Sequence, residues 1–339
     1  MRHWLKWQLR LLASTACSRP KTCLPVTVRL IFGILIGTLL GLCVRIIVES
    51  AGSMHINVGS GLDTQFIRKN STVLCNALHL RCVVFLDRRQ EKKTKYMSAL
   101  KDTYMQRCNQ TIVFTNSKEV HKKFVEDTHV IYMETWKSEY YWDLYRLILK
   151  QLTKNEMSDS DNQDSKDCVV DWTIIGNEQL YVVVENLRNY LSGIDSETSI
   201  ILGSLETKRN ILSLIFPFGS HTVLSVQAGI ILSRQALHDL QSNQCTGIFF
   251  PSSTESALFE CASKIGVNVL EPRDQDGMRL LHPLNVKQLI GVQNSLSTGE
   301  GNKVCCSDHA ISFGSVDYKE LRLLDYTINK VKVFGVNMA

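Results

Sequence analysis

Short apolar runs alternate with amphipathic segments along the chain from about residue 80 onward. Apolar runs of this length predict strands, and apolar positions three and four residues apart predict helices. The predicted strands are Cys82–Leu86, Thr111–Phe114, His129–Tyr132, Cys168–Ile175 and Ala310–Phe313, with short strands near Ile200 and Val223. The predicted helices are approximately Lys92–Arg107, Tyr141–Leu152, Gln235–Gln241, Thr254–Ile265 and Tyr318–Asn329. This alternation predicts an α/β fold with a mainly parallel central sheet and flanking helices.

A polar, acidic stretch follows the second predicted helix. Residues 153–167 read TKNEMSDSDNQDSKD and predict a loop. Asp159-Ser160-Asp161 within it has the Asp-x-Asp spacing of metal–nucleotide sites, but no predicted strand holds the two carboxylates in place. Exposed acidic runs are far more often solvated surfaces than ligand sets, and we interpret this one as a solvated surface.

The segment Val169–Leu187 carries the most specific chemistry. An apolar strand ends in the polar residues Asn177, Glu178 and Gln179, and the apolar pattern resumes at Tyr181 and leads into a helix. Divalent cations such as Mn²⁺ and Mg²⁺ prefer carboxylate and other oxygen ligands, so a tip that holds a cation and a nucleotide diphosphate usually carries two or three aspartates. Here one carboxylate lies between two amides. Metal binding at this tip therefore decides whether the protein is an enzyme.

The chain begins with a basic segment followed by an apolar one. Residues 30–44 carry no charge, and the span extends over 26–48 if Arg29 and Arg45 reach the headgroups. The excess of Lys and Arg before the span predicts a cytosolic N-terminus and a type II topology. The long basic region favours an anchor over a cleaved signal peptide. The predicted parts are a cytoplasmic tail (1–25), a transmembrane anchor (26–48), a luminal stem (49–78) and a luminal domain (79–339).

Gly33, Gly37 and Gly41 recur every four residues within the predicted anchor and share one helix face. This spacing lets two helix backbones approach closely, which would pair the protein with a second copy of itself. Glycine is also common in membrane helices that make no such contact. Both interpretations remain open.

Charge and cysteine content indicate an oxidising compartment. The net charge of +5 arises mainly from the basic start of the chain and gives no indication of nucleic-acid binding. Eight of the eleven cysteines follow the anchor, which favours disulfides, and no zinc-type Cys/His spacing occurs. Asn70 and Asn109 each begin an Asn-x-Ser/Thr sequon, as expected of a luminal glycoprotein.

Three segments carry recognisable motifs. Cys305–Phe313 reads CCSDHAISF, Glu271–Pro283 reads EPRDQDGMRLLHP, and Asp171-Trp172 with Tyr181–Leu187 (YVVVENL) flanks the polar tip. They resemble the CCSD-x-A-[IV]-[ST]-F, DSRD-x-x-GR-x-RF-x-P and DWF…TYVV-x-ENL segments of the core 1 β1,3-galactosyltransferase family. Members of that family add galactose to the N-acetylgalactosamine of mucin-type O-glycans, and the family includes a non-catalytic chaperone, Cosmc. The resemblance covers roughly residues 80–335 in patches.

The resemblance implies a GT-A-like nucleotide-sugar transferase fold. It implies donor and acceptor surroundings that include Trp142, Asp171, Trp172, Tyr181, Gly229, Asp274 and His282. It also implies the disulfides Cys82–Cys108 and Cys245–Cys261. Neighbouring cysteines rarely bond to each other, so Cys305 and Cys306 each take a distant partner or one of them stays free.

The chain departs from the family at the donor side. The active enzymes have three consecutive aspartates where this chain has Asn177, Glu178 and Gln179, and the metal held there bridges the protein to the UDP diphosphate. Amide oxygens coordinate a dication less firmly than carboxylates do. The family's Trp-x-Lys-Thr-Lys segment begins here at Trp142 and replaces its first lysine with Leu144, which removes a cation expected to face the diphosphate.

Two further departures lie at the acceptor side. Gly229 precedes an Ile-Ile-Leu-Ser run that is closer to the Cosmc sequence than to the glycine-rich turn of the enzymes. The family's Glu-Asp pair reads Thr254-Glu255. Glu255 is the candidate base for deprotonating the acceptor hydroxyl. The alternative, which we favour, is an exposed acid in the first turn of a helix.

These departures favour a degenerate family member that acts as a Cosmc-like chaperone or partner of an active transferase and needs no cofactor. An active β1,3-galactosyltransferase that moves galactose from UDP-galactose to glycoprotein acceptors, with Mn²⁺ as cofactor, is the alternative. A lectin-like module is a third, less supported, possibility. In each case we expect a single-pass type II membrane protein of the endoplasmic reticulum or Golgi.

Overall fold

The computed structural model describes residues 33–38, 78–134, 141–160, 169–209, 220–243, 245–246, 250–296 and 306–331. Residues 33–38 are helical and exposed. They are the only part of the predicted anchor among the described residues, and within the described ranges no helix is long and apolar enough to cross a membrane. Asn70 and almost all of the predicted stem lie outside the described residues.

The strands and helices from residue 80 onward are numbered in chain order. The strands are β1 (Leu80–Leu86), β2 (Gln110–Thr115), β3 (Val130–Tyr132), β4 (Trp172–Asn177), β5 (Tyr181–Val182), β6 (Ile200–Leu202), β7 (Leu205–Arg209), β8 (Ser220–Leu224), β9 (Ile230–Ser233), β10 (Asn268–Leu270), β11 (Leu281–His282) and β12 (Ser312–Phe313). The α-helices are α1 (Lys93–Asp102), α2 (Lys118–Phe124), α3 (Trp142–Ser160), α4 (Val184–Leu191), α5 (Arg234–Ser242), α6 (Thr254–Ile265), α7 (Val286–Leu296) and α8 (Tyr318–Asn329). Short 3₁₀ turns cover Tyr104–Arg107 and Val226–Ala228.

The central sheet has seven strands in the order β10-β6-β9-β4-β1-β2-β3. Pairs β1–β2, β1–β4, β2–β3 and β6–β10 are parallel, whereas β9 runs antiparallel to both β4 and β6. The predicted α/β fold with a mainly parallel sheet is therefore confirmed. The reversed strand β9 was not predicted, because strand direction depends on long-range pairing that an apolar run alone does not encode.

Burial on both faces explains why the central strands read as continuous apolar runs. In β1 every residue is buried. Leu80, Cys82, Val84 and Leu86 pack in one core, and Val83 and Phe85 pack in a second core on the other face. The sheet thus separates two hydrophobic layers.

Two disulfides join elements that pack in these layers. Cys82 in β1 bonds to Cys108 after the first 3₁₀ turn, and Cys245 bonds to Cys261 in α6. Both pairings implied by the family resemblance are confirmed. Cys306 is also disulfide-bonded, which rules out a free thiol there, whereas Cys305 lies outside the described residues.

Several predicted boundaries were wrong. The helix expected from residue 92 to 107 ends at Asp102 and continues as the 3₁₀ turn. Helix α3 runs through Ser160, so the expected loop is helical over 153–160, where Lys, Glu and Met favour helix and the buried Thr153 hydroxyl donates to the Leu149 carbonyl. Asp159 is thus helical, and Asp161 lies outside the described residues. The strand expected from Cys168 begins only at Trp172.

A smaller sheet lies beside the end of β4. Strand β5 pairs antiparallel with β12, and β12 pairs in parallel with β11. Strands β7 and β8 form a separate antiparallel pair. Because β5 follows β4 after a short polar turn, the first residue of β5 lies next to that turn.

Gly229 allows the chain to enter β9 close to this turn. Its φ of 80° favours glycine, and an added Cβ would lie 2.9 Å from Leu180 Cδ2. Gly266, after α6, has a similar φ of 76° but open space around it.

We expect Gly229→Ala to lower the free energy of unfolding by about 2–4 kcal/mol, because backbone strain and crowding both contribute. Gly266→Ala should cost only the strain, about 1–2 kcal/mol. Denaturant titration of both variants measures the difference. Equal losses would show that Leu180 accommodates the added methyl group.

Candidate functional site

The polar residues of the site follow the carboxyl ends of three adjacent strands. Asn177 ends β4, Asp87 directly follows β1, and Asn116 directly follows β2. These strands are neighbours in the order β4-β1-β2 and run parallel. Side chains at the carboxyl edge of a parallel sheet converge, and this edge is where open α/β sheets bind ligands.

Internal hydrogen bonds fix the tip of β4. The Asn177 side-chain oxygen accepts from the Gln179 amide at 3.0 Å, and the Asn177 carbonyl accepts from the Leu180 amide at 3.2 Å. An asparagine that bonds to the backbone two residues ahead forms a local turn. The turn directs Glu178 away from the strand and returns the chain toward β5.

Glu178 is a buried carboxyl group, with 5% of its surface exposed. Its Oε1 accepts from Gln90 Nε2 at 2.9 Å, while its Oε2 is buried without a hydrogen-bond partner among the described residues. Burial raises the pKa of Glu178, the Gln90 hydrogen bond opposes that rise, and the nearby charge of Asp87 adds to it. The protonated form is thereby favoured.

Asp87 is held by the residues around it. Arg89 donates to Asp87 Oδ2 through Nε at 3.0 Å and through a terminal nitrogen at 2.6 Å, and Asn116 donates to Oδ1 at 3.4 Å. Burial alone would raise the pKa of Asp87, but the hydrogen bonds and charge of Arg89 outweigh it and hold the pKa below its ordinary value. The tip therefore has one charged acid and one prone to protonation.

Gln179 links the tip to two helices. Its side chain donates to the Tyr96 hydroxyl of α1 at 3.4 Å, and that hydroxyl donates to Asp317 Oδ1 at 3.2 Å. Asp317 caps the start of α8 in a reciprocal capping box with Glu320. Burial raises the pKa of Tyr96, which keeps the hydroxyl a donor. The second amide of the tip is therefore a structural link.

Among the residues that the structure describes, no group of three or more His, Cys, Asp or Glu side chains is placed to hold a metal ion.

Glu255 lies in the first turn of α6, as expected, but its side chain is only 12% exposed. It forms an ion pair with Lys208 of β7. This ion pair engages the carboxylate of Glu255, the candidate base for deprotonating the acceptor hydroxyl. The expectation of an exposed acid was wrong because Lys208 of β7, the partner strand of β8, pairs with this carboxylate.

His282 of β11 stacks on Phe313 of β12 with ring centroids 5.3 Å apart. Burial lowers the pKa of His282, and the positive charge of Arg279 lowers it further. Its Nε2 is buried without a hydrogen-bond partner in the described part of the chain. The neutral imidazole therefore packs as a ring in the small sheet.

Asp171 and Trp172 lie at the opposite end of β4 from the tip. Asp171 pairs with Arg234 at 2.7 Å and accepts from the His79 amide at 2.9 Å. Trp172 is a fully buried core residue. The structure does not bring these two residues together with Glu178.

Trp142 and Tyr181 are also buried. The Trp142 indole donates to the Cys245 carbonyl at 2.8 Å and thereby attaches α3 to the segment of the second disulfide. The Tyr181 hydroxyl donates to Asp325 Oδ1 at 3.5 Å, and burial raises its pKa.

Asp274 and Asn109 lie on loops. Asp274 Oδ1 accepts from the amides of Asp276 and Met278 at 2.9 and 2.7 Å, which closes a turn between β10 and β11. Asn109 is exposed, and its side-chain oxygen accepts from Leu80 and Arg188.

Sequence reasoning missed Asp87, Gln90 and Tyr96. Asp87 had a detectable signal, because it directly follows a predicted apolar strand, as the polar tip of β4 does. Gln90 and Tyr96 carried no signal, since their contacts with Glu178 and Gln179 cross 88 and 83 residues of sequence.

No protein-family model matches the chain. The chain is 28% identical over 179 residues to the glycoprotein-N-acetylgalactosamine 3-beta-galactosyltransferase 1 of Xenopus laevis. The match covers 49% of this chain and 47% of the relative, so it spans less than half of the relative's length.

Two solved structures align with parts of the chain at low similarity. A glycosyltransferase involved in glycosylation of the major capsid of PBCV-1 has 12% identity and a TM-score of 0.35, with 74% of this chain and all of that chain covered. The CMP:2-keto-3-deoxy-manno-octonic acid synthetase has 10% identity and a TM-score of 0.32, and the alignment covers 57% of this chain and 88% of that chain. The partial sequence match, together with the mostly parallel α/β sheet, supports a glycosyltransferase family for this chain.

Proposed function

We propose that this protein is a degenerate galactosyltransferase-like protein of mucin-type O-glycosylation. It retains the transferase fold and acts as a Cosmc-like chaperone or partner of an active core 1 galactosyltransferase. It is held by a type II anchor in the endoplasmic reticulum or Golgi. The sequence match to a galactosyltransferase supports the family, and the chemistry of the tip supports the loss of transfer.

The environment of Glu178 is the observation that carries the proposal. A metal ligand must present an accessible oxygen, and a charged oxygen holds a dication more firmly than an amide oxygen does. Glu178 is 5% exposed, its Oε1 already accepts from Gln90, and burial raises its pKa. Its second oxygen is buried, so a bound cation would need to be desolvated almost completely. These residues do not fit a resident Mn²⁺.

The neighbouring groups do not replace the missing carboxylates. Asp87 is charged, but Arg89 neutralises it at 2.6 Å and would repel a cation. Asn177 uses its side-chain oxygen for the turn, and Gln179 uses its amide for Tyr96. The side-chain oxygen of Asn177, Oε1 of Glu178 and the side-chain nitrogen of Gln179 are therefore all engaged in contacts that support the fold.

The first experiment measures donor binding. The melting temperature of the purified full-length protein is followed during titration with UDP-galactose and MnCl₂. We expect no shift, because a ligand stabilises only the native state to which it binds. An active core 1 transferase treated in the same way provides the positive control. A metal-dependent rise in melting temperature would refute the proposal and favour the active β1,3-galactosyltransferase.

The second experiment measures the chaperone role. An active core 1 transferase is expressed with and without this protein, and its soluble yield and activity are compared. We expect a higher yield with the protein present. An unrelated membrane-anchored luminal protein controls for expression load, and an unchanged yield would count against a chaperone.

The third experiment tests the state of Glu178. Its folded-state pKa lies above the ordinary value of 4.5, so the native state binds the proton more tightly than the unfolded state does. The contribution of this proton to the free energy of unfolding is fully present below pH 4.5 and is lost as the pH rises through the folded-state pKa. Glu178→Gln resembles the protonated group and should be more stable than the parent protein at pH 7, with a difference that shrinks toward pH 4.

Denaturant titrations between pH 4 and pH 8 measure this difference. Glu126→Gln, at an exposed position on another part of the domain, controls for the loss of one negative charge. A pH-independent difference for Glu178→Gln would contradict the raised pKa.

A further inference from the structure

The sequon Asn109-Gln110-Thr111 lies where the chain enters β2. Asn109 is exposed directly before the strand, and Gln110 and Thr111 are the first two residues of the strand. N-linked glycans are carried by surface asparagines of this motif. The exposed position of Asn109 therefore permits a modification that has no part in the chemistry of the tip.

Two donors fix the orientation of the Asn109 side-chain amide. The Leu80 amide donates to Asn109 Oδ1 at 3.0 Å, and the Arg188 guanidinium donates to the same atom at 2.6 Å. Because an amide nitrogen does not accept hydrogen bonds, the atom that both donors reach must be the oxygen. The contacts with the fold thus use Oδ1, and a glycan attached to Nδ2 leaves both of them intact.

Arg188 extends this contact to two neighbouring segments. Its guanidinium also donates to the Leu78 carbonyl at 2.6 Å and to the Arg107 carbonyl at 3.0 Å. The Asn109 oxygen therefore belongs to a group of hydrogen bonds that joins α4 to the starts of β1 and β2. A substitution at position 109 separates glycosylation from folding only if it keeps an acceptor there.

Folding places the sequon in the central sheet beside a disulfide. The Asn109 amide donates to the Leu80 carbonyl at 3.0 Å. Thr111 lies opposite Cys82 in the parallel pair β1–β2, and Cys82 is bonded to Cys108, which directly precedes the sequon. An enzyme that binds the backbone of the sequon must reach it before these backbone groups are taken up by the sheet.

We propose that Asn109 carries an N-linked glycan that is added before the Cys82–Cys108 disulfide closes. The donor is a lipid-linked oligosaccharide pyrophosphate. A bond forms between Asn109 Nδ2 and C1 of the first sugar, the bond between C1 and the pyrophosphate oxygen breaks, the amide nitrogen releases one proton, and the lipid pyrophosphate leaves. This inference rests on the luminal orientation in the proposed function and is independent of the chaperone role.

The glycan lies far from the tip. Asn109 contacts Leu80 at the amino end of β1, whereas Asp87 follows the carboxyl end of that strand, about 20 Å away. A bulky, hydrated glycan covers the surface around its asparagine. The amino edge of the sheet near α4 is therefore shielded, and a protein partner is expected to bind another face.

The test uses the full-length chain expressed in mammalian cells. Peptide-N-glycosidase releases the glycan and converts the linked asparagine to aspartate, so peptide mapping identifies the occupied position. We expect conversion at Asn109 in the parent protein and in Thr111→Ser, which keeps the sequon. Asn109→Asp and Thr111→Val should lose the glycan at this position completely. Asn109→Asp keeps an acceptor for Leu80 and Arg188, so it retains the hydrogen bonds of the parent.

Disulfide variants test the order of events. Cys82→Ser prevents the disulfide and leaves the sequence around the sequon unchanged. It should raise the occupied fraction of Asn109. Cys261→Ser breaks the other disulfide and is the matched control, so it should leave that fraction unchanged. An increase in both variants, or in neither, would overturn the proposed order.

Protection of a C-terminal epitope tag from protease in intact microsomes reports the luminal orientation separately. A protected tag together with an unmodified Asn109 would refute the glycan and leave the proposed topology in place. A protease-sensitive tag would refute both. Neither result depends on the yield of a co-expressed transferase, which tests the chaperone role alone.

Discussion

The position of β4 in the middle of the sheet is the constraint on which the rest of the domain depends. It pairs in parallel with β1 and antiparallel with β9, so both of its edges are occupied and all six of its residues are buried. The chain must therefore leave the sheet at its end. Leu180 then packs back over Gly176 and Gly229, where there is no room for a further side chain. This packing determines where β5 begins, and β5 in turn positions β12 and β11.

The same constraint determines the electrostatics of the tip. An ionisable side chain that follows a buried central strand is surrounded by protein. It must therefore form hydrogen bonds or ion pairs within the protein, or its pKa shifts toward the neutral form. Burial raises the pKa of Glu178, whereas the hydrogen bonds and charge of Arg89 hold the pKa of Asp87, one strand away, below its ordinary value. The two acids thus differ because a guanidinium accompanies Asp87, whereas the carboxyl group of Glu178 is more deeply buried and has no such partner. A metal-dependent site needs several charged oxygens together, and here the charges are either paired or suppressed.

Local patterns explain why part of this was predictable. The β4 tip and the sheet type follow from apolar runs and polar interruptions, and the two disulfides follow from a motif resemblance. Contacts between distant residues were not predictable, because neither Gln90 nor Tyr96 differs from an ordinary surface or core residue in its own segment. The reversal of β9 also depends on its partners. Residues 153–160 show that polar composition alone does not predict a loop. This polar stretch is helical because it continues a helix whose preceding residues, such as Leu152 and Thr153, are buried.

The polar groups of the tip are used mainly for the fold. Amides and acids there are bonded to Tyr96, Gln90 and Arg89, which stabilises the fold but leaves little for a ligand. Polar groups without a protein partner are retained at little cost only where water or a ligand satisfies them. Oε2 of Glu178, which is buried without a hydrogen-bond partner among the described residues, is the exception at the tip. Burial lowers the cost of this exception because it raises the pKa of Glu178 and so favours a neutral carboxyl group over an unsolvated charge.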